Sequence, residues 1–263
     1  MDLDVDGNTA LITASSSGLG KASAEVLARE GANIVVNGRD QEQLDSTVSE
    51  LSETATGQVV GHQGDITDPE DIEQLVSRTV DEFGGLDHLV TSAGGPPSGP
   101  FLEIPEEEWY KEFDLLVMSV VRLVHEAVEH LQADGGGTIV NITSISVKEA
   151  IDALVLSNSV RMAVIGLEKT LSKELAPEIR VNSVLPNRIE TPRVEDLLQG
   201  QVDAGHYESY EQGYDQWIQD IPVQRLGEPE ELGNLVAFLC SERSGFINGA
   251  AIPIDGGEFR SNL

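Results

Sequence analysis

The sequence has little or none of three features that define whole classes of protein: cysteine, long apolar runs and an apolar leader. Cys240 is the only cysteine among 263 residues, which excludes an internal disulfide, and its apolar neighbours mark it as a small buried hydrophobe. No stretch reaches the roughly 18 apolar residues that a membrane-spanning helix needs. The first seven residues carry neither a basic start nor an apolar run, so we expect no secretory signal and a cytoplasmic protein.

Basic residues are scarce as well. The chain has 16 Lys and Arg residues against 46 Asp and Glu residues, a formal net charge of -30. A chain of this charge repels nucleic acid, so we exclude a nucleic-acid partner. The carboxylates are spread along the chain, which is typical of a surface that works in concentrated salt, where screening relieves self-repulsion. We therefore predict a halophilic protein with an acidic surface.

The few histidines do not form a metal site. His125 and His130 lie five residues apart on a predicted helix, roughly 140° around its axis, whereas paired ligands on one face are four apart. The other histidines fall in separate elements without ligand spacing. We predict no bound metal.

Apolar strands alternate with amphipathic helical patterns along nearly the whole chain. Such alternation requires crossover connections and therefore a parallel sheet with helices on both faces. We predict an α/β fold, a doubly wound Rossmann-type parallel sheet that forms a single domain over 1–263. The predicted strands are 9–13, 33–36, 59–62, 86–91, 137–142, 180–185 and 250–254, and the predicted helices are 21–29, 41–52, 71–83, 106–132, 157–175 and 229–240.

The regular pattern stops after Pro192 and returns at Pro229. We interpret the polar stretch 193–222 as an irregular lid over a substrate, because ligands of such sheets bind beyond the carboxyl ends of the strands. Three of the chain's four tyrosines, Tyr207, Tyr210 and Tyr214, fall in this lid. Aromatic lid residues of this kind pack on substrates.

A turn rich in serine and glycine joins the first strand to the first helix. Small residues there let backbone N–H groups and the helix dipole approach a pyrophosphate, although the same pattern also suits a tight connection that needs positive φ. We predict a dinucleotide site at this turn, which consists of Thr13, Ser15, Ser16, Ser17, Gly18, Leu19 and Gly20.

The end of the second strand indicates which cofactor is preferred. An acidic residue there would bond the adenosine ribose of NAD and repel a 2′-phosphate. This chain instead has Gly38 followed by Arg39, whose guanidinium offers a phosphate a bidentate partner. We predict NADP(H) as the preferred cofactor, with NAD(H) as the alternative. Asp40 beside Arg39 leaves open a second interpretation, in which Arg39 only belongs to the acidic surface.

Further motifs follow in a fixed order. They are Asp65-Ile66, Thr91-Ser92-Ala93-Gly94, Asn141-Ile142-Thr143-Ser144, Arg180 to Pro186 with Thr191-Pro192, Arg225 to Glu231, and Asp255-Gly256-Gly257. Together with the first turn they resemble the short-chain dehydrogenase/reductase family, including its members similar to 3-oxoacyl carrier-protein reductase. Two positions depart from the family pattern: Ala14 replaces the first glycine, and Thr91 replaces an asparagine.

The resemblance implies an NAD(P)-dependent oxidoreductase that moves a hydride between nicotinamide and a carbonyl or secondary alcohol. It also implies further contacts with the cofactor. By family position these come from Asp65, Ile66, Ala93, Gly94, Arg161, Pro186, Arg188, Ile189 and Thr191.

The family's catalytic residues are largely missing. The serine after the fifth strand is present as Ser144, but the tyrosine thirteen residues later is Ser157 and the lysine four residues beyond is Arg161. No tyrosine lies between Ser144 and the helix, so no shifted alignment supplies one. The asparagine of the preceding long helix is Leu116.

This substitution bears directly on proton transfer. A serine hydroxyl is a poor acid or base near neutral pH, and arginine stays protonated, so Arg161 can hold ribose hydroxyls but cannot pass a proton as lysine can. Lys148, on the loop after Ser144, is our candidate for the missing group, against the interpretation of a solvated loop charge. The alternative to an enzyme is a catalytically silent protein that binds NADP(H) or a metabolite.

The long helix around Leu116 and the helix after Arg161 are more apolar than packing on a sheet requires. The family pairs these helices across a subunit interface, so we expect a homotetramer, or at least a dimer, with simple core burial as the alternative. The substrate is expected to be a small carbonyl or alcohol compound whose identity the lid sequence does not reveal.

Overall fold

A computed structural model describes residues 2–260, with Asp134 lacking a described side chain; Met1 and residues 261–263 of the predicted domain lie outside that range. Seven strands form one sheet, and every pairing is parallel. The strands are β1 (Thr9–Ile12), β2 (Asn33–Gly38), β3 (Val59–Gln63), β4 (His88–Thr91), β5 (Gly137–Ile142), β6 (Ile179–Pro186) and β7 (Ala251–Ile254).

Helices connect the strands and cover both faces of the sheet. They are α1 (Gly18–Arg29), α2 (Gln41–Ser52), α3 (Pro69–Phe83), α4 (Glu106–Phe113), α5 (Ser119–Leu131), α6 (Val155–Glu174), α7 (Pro192–Asp203), α8 (Tyr210–Asp220) and α9 (Pro229–Cys240). Two apolar clusters lie on opposite faces of the sheet: one joins α1 and α9 to alternate strand residues, the other joins α3 and α5 to the remaining ones. The predicted doubly wound α/β sheet is therefore confirmed.

The strand order is β3-β2-β1-β4-β5-β6-β7. The order reverses between β1 and β4, and a crevice opens outside the carboxyl ends of the strands at such a switch point. The turns after β1, β2, β4, β5 and β6 all open at this edge. The topology thus brings together the residues that the sequence marked as candidate site residues.

Two predicted elements are wrong. The predicted helix 106–132 is interrupted by a π-helical turn at Asp114–Met118, which separates α4 from α5. The turn falls on Leu115-Leu116-Val117-Met118, which is apolar on every side of a helix, so the shift of phase left no mark in the sequence pattern. The lid also contains two helices where none was predicted. α7 begins at Pro192 with Thr191 as its N-cap, and Ser209 accepts a hydrogen bond from Gln212 N at the start of α8.

No helix in the described range is long and apolar enough to cross a membrane. The ends of most other elements differ from the predicted ones by one to three residues. The first helix begins at Gly18, three residues before the predicted start, and so reaches the serine-rich turn itself. This difference matters for function, because it places the amino end of α1 directly at the dinucleotide turn.

Candidate active site

The turn between β1 and α1 has the backbone shape of an anion site. Gly18 has a φ of 58°, and Ala14, at the family's glycine position, also adopts the left-handed region with a φ of 45°. Ser17 is the N-cap of α1, yet its side chain makes no capping hydrogen bond and the first turn carries no acidic residue. The N–H groups at this helix end are therefore free to meet a phosphate.

Residues of the neighbouring strand hold this turn in place. The amide oxygen Oδ1 of Asn37 accepts a hydrogen bond from Ala14 N at 3.1 Å, and Asn37 N donates to Ser15 Oγ at 2.9 Å. A side chain at Gly20 would place Cβ 2.8 Å from the carbonyl oxygen of Ala14, so only glycine fits there. Asn37, which the sequence did not single out, is thus the structural support of the turn.

Arg39 is an exposed cation directly after β2. Its side chain is 80% exposed, and its nearest carboxylate oxygen, Oδ2 of Asp65, is 4.0 Å away. A Cβ atom at Gly38 would lie 2.7 Å from Ser16 Oγ, so the missing side chain at Gly38 keeps Ser16 and the backbone before Arg39 close together. No carboxylate occupies the end of β2, which agrees with room for a 2′-phosphate.

Asp65 and Ile66 follow β3, as the family pattern requires. Burial would raise the pKa of the Asp65 carboxyl, but hydrogen bonds from Thr67 N (2.9 Å) and Thr67 Oγ1 (2.8 Å), with the charge of Arg39, outweigh it and lower that pKa. Asp65 is therefore ionised and fixed by the loop. Ile66 is buried beside it.

The turn after β4 is tied to both of its neighbours. Thr91 Oγ1 donates to Asn141 Oδ1 at 2.7 Å, and Thr13 Oγ1 donates to the carbonyl oxygen of Ser92 at 2.8 Å. Thr91 thus takes the family asparagine's place with a hydroxyl that bonds the next strand. The following residues, Ala93 and Gly94, are left partly open at the crevice.

Three serines form the candidate catalytic group. Ser144 Oγ accepts a hydrogen bond from Ser146 N at 3.1 Å, and the hydroxyls of Ser146 and Ser157 lie 2.9 Å apart. Ser146 and Ser157 are buried, whereas Ser144 is partly open to the crevice. Sequence reasoning predicted Ser144 and Ser157 but missed Ser146, although its position two residues after Ser144 was a usable signal.

Arg161 lies one helical turn beyond Ser157 and is also buried. Its Nη2 donates to the carbonyl oxygen of Gly94 at 3.1 Å, which joins α6 to the turn after β4. Burial lowers the pKa of the Arg161 guanidinium to about 10; the charge of Glu112 opposes this shift and that of Arg193 adds to it. Arg161 therefore remains a buried cation at neutral pH.

Glu112 is the third residue of the site that the sequence analysis missed, after Asn37 and Ser146. This carboxylate is buried in the last turn of α4, on the face that carries Trp109 and Leu116 toward α6. Leu116 itself lines a small cavity together with Arg161 and Thr91. A charged residue on an otherwise apolar helix face was the available signal.

The segment after β6 connects the crevice to the lid. Pro186 ends β6, Ile189 pairs with Gly227 through a β-bridge, and Thr191 caps α7. Arg193 in α7 donates to the carbonyl oxygen of Pro96 at 2.8 Å, so the lid begins against the loop after β4.

Arg188 fastens the lid. Its Nη1 donates to the carbonyl oxygen of Trp217 at 2.8 Å, and its guanidinium carbon lies 5.0 Å from the centre of the Trp217 ring. The same side chain pairs with Glu258 at 3.1 Å and Asp220 at 3.7 Å. The structure thus gives Arg188 four protein contacts in place of an open guanidinium that awaits a cofactor.

Lys148 does not join the serine group. It is exposed at the end of the short helical turn Ile145–Val147, and within residues 2–260 its side chain makes no hydrogen bond or ion pair. Of the lid tyrosines, Tyr214 donates to Glu190 at 3.2 Å. No group of three or more His, Cys, Asp or Glu side chains with metal-ligand geometry occurs in the described part of the chain.

Comparisons with known proteins agree with this geometry. A profile of the family described as enoyl-(acyl carrier protein) reductase matches residues 13–258. Dehydrogenase/reductase SDR family member 4 of Oryctolagus cuniculus is 34% identical over 250 residues, which cover 94% of this chain and 92% of the relative. 3-Oxoacyl-acyl-carrier-protein reductase FabG of Thermotoga maritima is 32% identical over 254 residues, with 96% and 98% covered.

A solved structure shows the same likeness over the whole fold. L-sorbose reductase from Gluconobacter frateurii, complexed with NADPH and L-sorbose, superposes with a TM-score of 0.93 at 33% identity, over 99% of this chain and 100% of that one. Sheet order, crevice and first turn together define an α/β enzyme of the Rossmann type. The chain belongs to the short-chain dehydrogenase/reductase family, and the expected function of an NAD(P)-dependent oxidoreductase is confirmed at the level of that family.

Proposed function

We propose that the protein is an oxidoreductase that prefers NADP(H) and moves a hydride between nicotinamide and a small carbonyl compound or secondary alcohol. The observation that carries the cofactor preference is Arg39, which follows Gly38 at the end of β2, is 80% exposed and meets the Asp65 carboxylate only at 4.0 Å. A guanidinium in this place favours a 2′-phosphate, whereas the ribose of NAD(H) would find no acidic partner there. The NADPH complex of L-sorbose reductase supports the same preference.

The cofactor fits the residues present, and when bound it would supply or accept the hydride. Its pyrophosphate would meet the N–H groups at the start of α1, and Arg161 would hold the ribose hydroxyls at the nicotinamide end. The residues proposed to hold the cofactor are Thr13, Ser15, Ser16, Ser17, Gly18, Leu19, Gly20, Arg39, Asp65, Ile66, Ala93, Gly94, Arg161, Pro186, Ile189 and Thr191. Arg188 was predicted among them, but its protein contacts favour a role in the lid.

The serine group would handle the substrate oxygen. Ser144 Oγ is partly open to the crevice and can donate a hydrogen bond to a carbonyl oxygen, which polarises it. Ser157 is buried and bonded to Ser146, so its hydroxyl supports the site rather than replacing a phenol. Lys148 remains our candidate for proton delivery from solvent, because it lies on the loop that follows these serines and is exposed.

A catalytically silent binding protein is the second candidate. Ser157 and Arg161 favour it, since neither replaces the acid–base chemistry of tyrosine and lysine. The two functions differ in turnover and share cofactor binding. Wild-type oxidation of NADPH with any member of a carbonyl panel would remove the silent candidate.

Titration of NADPH and NADH in molar salt, followed by nicotinamide fluorescence, tests the proposal. We expect tight binding of NADPH and weak binding of NADH. Arg39→Ala should weaken NADPH by roughly 10- to 100-fold, the effect of one charge-assisted hydrogen-bonding group, and leave NADH unchanged. Equal binding of the two nucleotides, or equal losses in the variant, would contradict the NADP(H) preference. Binding of neither would overturn the proposed function.

A homotetramer, or at least a dimer, is part of the proposal. Several large apolar side chains are exposed on the loop before α4, on α4 and on α6: Phe101, Leu102, Tyr110, Phe113 and Met162. Apolar side chains grouped on neighbouring elements support a protein interface, and closed symmetry is the usual result. Light scattering of the purified protein in high salt measures the assembly directly. The cytoplasmic location and the halophilic surface stay predictions from the sequence.

A further inference from the structure

Glu112 and Arg161 are opposite charges buried in one place. Glu112 is 3% exposed to solvent and Arg161 is 8% exposed. Oε2 of Glu112 and Nε of Arg161 each lack a hydrogen-bond partner among residues 2–260. Buried charged groups with unmet hydrogen bonds cost stability, so a site that retains them is a candidate for function.

Glu112 and Arg161 lie on α4 and α6, which pack on each other, but their charged atoms do not come within the 4.0 Å of an ion pair. The helix face that carries Glu112 also carries Leu116, which packs against Val160 and Val164 of α6, the neighbours of Arg161. Arg161 is held from its other side by the carbonyl oxygen of Gly94, 3.1 Å from Nη2. Glu112 therefore faces the junction of α4, α6 and the turn after β4.

The other charged groups near Glu112 are already occupied. Lys111, on the same helix, pairs with Glu108 at 3.3 Å on the surface. Arg193, from α7, donates to the carbonyl oxygen of Pro96 at 2.8 Å. The charges that act on Glu112 from the elements packed around it are those of Lys111, Arg193, Glu108 and Arg161. Arg161 is the one cation among them that is buried with Glu112.

We propose that Glu112 is a positioning residue for Arg161: its carboxylate is the counter-charge that keeps the buried guanidinium aimed at the ribose of the bound cofactor. The inference deepens the proposed function and rests on it. A lysine at this family position carries a compact ammonium charge on a flexible stem. The planar guanidinium of Arg161 must also be oriented. An ionised carboxylate beside it, in surroundings that water does not screen, supplies that orientation.

The sign of the change in folding stability when the Glu112 carboxyl ionises distinguishes this role from that of a structural ion pair. Burial raises the pKa of the Glu112 carboxyl; Glu108 adds to the shift, while Lys111, Arg161 and Arg193 oppose it. With a folded pKa above the unfolded one, the contribution of Glu112 to stability is full at low pH and is lost as pH rises through the folded pKa. The ionised carboxylate is thus kept at a cost to the fold.

The experiment compares Glu112→Gln with wild type, both without cofactor and in NADPH titrations. At pH 8 we expect Glu112→Gln to raise the unfolding temperature by a few degrees and to weaken NADPH binding about tenfold. At pH 4.5 the two proteins should unfold at nearly the same temperature. Lower stability of Glu112→Gln at pH 8, with unchanged NADPH affinity, would show a structural ion pair and overturn the inference.

A pH profile and a matched control complete the test. The NADPH affinity of wild type should fall toward low pH more steeply than that of Glu112→Gln, since the 2′-phosphate, with a pKa of about 6, titrates alike in both. Glu107→Gln removes the same charge from an exposed position of α4 and should behave as wild type. Equal profiles for all three proteins would overturn the inference.

The Arg161 background shows whether Glu112 acts through Arg161. In Arg161→Met, adding Glu112→Gln should change NADPH affinity less than twofold. A further tenfold loss in that background would mean that Glu112 acts independently of Arg161. If wild type binds NADPH and Glu112→Gln binds it equally well, this inference alone is overturned. If wild type binds no nucleotide, the inference is overturned together with the proposed function.

Discussion

The hydroxyl oxygens of Ser146 and Ser157 lie 2.9 Å apart, both buried, and Ser157 stands at the sequence position where the family pattern predicts a tyrosine. Because Ser146 N also donates to Ser144 Oγ, the three serines form one connected group at the carboxyl end of β5. Each of the two buried hydroxyls satisfies the other. The buried hydroxyl of Ser157 is therefore paired within the protein.

Removal of one of these hydroxyls should be felt by the other. We expect Ser157→Ala to lower the free energy of unfolding by about 1–3 kcal/mol, because Ser146 Oγ is left buried without its partner. The double variant with Ser146→Ala should lose less than the sum of the two single variants. Urea unfolding in high salt measures all three proteins.

The matched control is Ser172→Ala, which removes a buried serine from the same helix. Its hydroxyl bonds only the carbonyl oxygen of Lys169, three residues earlier. If Ser157 also supports the site, carbonyl turnover should fall in Ser157→Ala and stay at the wild-type level in Ser172→Ala. Additive losses in the Ser146 and Ser157 variants would contradict the coupling.

The fold followed from the sequence because each strand is a short apolar run closed by a turn or a helix signal. The two errors share a cause, because apolar periodicity carries little information in both places. The π-helical turn falls on Leu115-Leu116-Val117-Met118, which is apolar on every side of a helix, and α7 and α8 are mostly polar. The signals at Thr191 and Ser209, both N-cap residues, were present in the sequence but were outweighed by the polar composition.

The candidate site was predictable where a residue acts through the backbone and unpredictable where it acts through a distant partner. The turn up to Gly20 follows from residue size and position alone. Glu112 and Arg161 are 49 positions apart, so their proximity depends on how α4 packs on α6. Arg188 shows the same limit in reverse: its position suggests a cofactor contact, whereas its partners in the lid come from far along the chain.

The left-handed backbone at Ala14 predicts a stabilising substitution. A φ of 45° costs a residue with a Cβ atom about 1–2 kcal/mol, and glycine avoids that cost. The greater freedom of glycine in the unfolded chain returns about 0.5–1 kcal/mol of it. We expect Ala14→Gly to raise the free energy of unfolding by up to about 1 kcal/mol. Ala24→Gly, inside α1, should lower it by about 1 kcal/mol, and a loss in both variants would contradict the strain at Ala14.

His88 should make stability depend on pH. Burial, with a smaller effect of the Arg180 charge, lowers the pKa of the His88 imidazole to about 4. Its neutral ring is bonded to Thr138 Oγ1 and Asn8 Nδ2, each at 2.9 Å. A base with a lowered folded pKa contributes stability above its unfolded pKa of about 6.5 and loses it as pH falls toward 4. The loss amounts to about 3 kcal/mol.

His88→Gln removes this titration and serves as the comparison. We expect the difference in unfolding free energy between wild type and His88→Gln to shrink steadily from pH 7 to pH 4.5. Urea unfolding at several pH values in constant high salt gives the two curves. Parallel curves would mean that His88 is not the neutral buried base that the structure indicates.

A variant of Arg188 distinguishes a role of this residue in cofactor binding from a role in the predicted lid. Arg188→Met removes the bonds to Trp217, Glu258 and Asp220 and should loosen α8. We expect faster hydrogen exchange in α8 and a KM for the carbonyl substrate that is several-fold higher, with NADPH affinity unchanged, if segment 193–222 acts as the predicted lid over substrate. A large loss of NADPH affinity with unchanged exchange in α8 would return Arg188 to the cofactor site.

The acidic surface should make the fold dependent on salt. With a net charge of -30, at least that many carboxylates have no basic partner, and their repulsion is screened as the Debye length falls from about 10 Å at 0.1 M salt to about 3 Å at 1 M. Asp81 and Glu82 lie in the last turn of α3, which has no basic residue, so the helix dipole opposes them too. We expect the unfolding temperature to rise by ten degrees or more between 0.1 and 2 M KCl.

The double variant of Asp81→Lys and Glu82→Lys should be about 1–2 kcal/mol more stable than wild type at 0.1 M and nearly equal to it at 2 M. A salt response that is the same in both proteins would locate its cause outside charge repulsion, in the exclusion of salt from the protein surface.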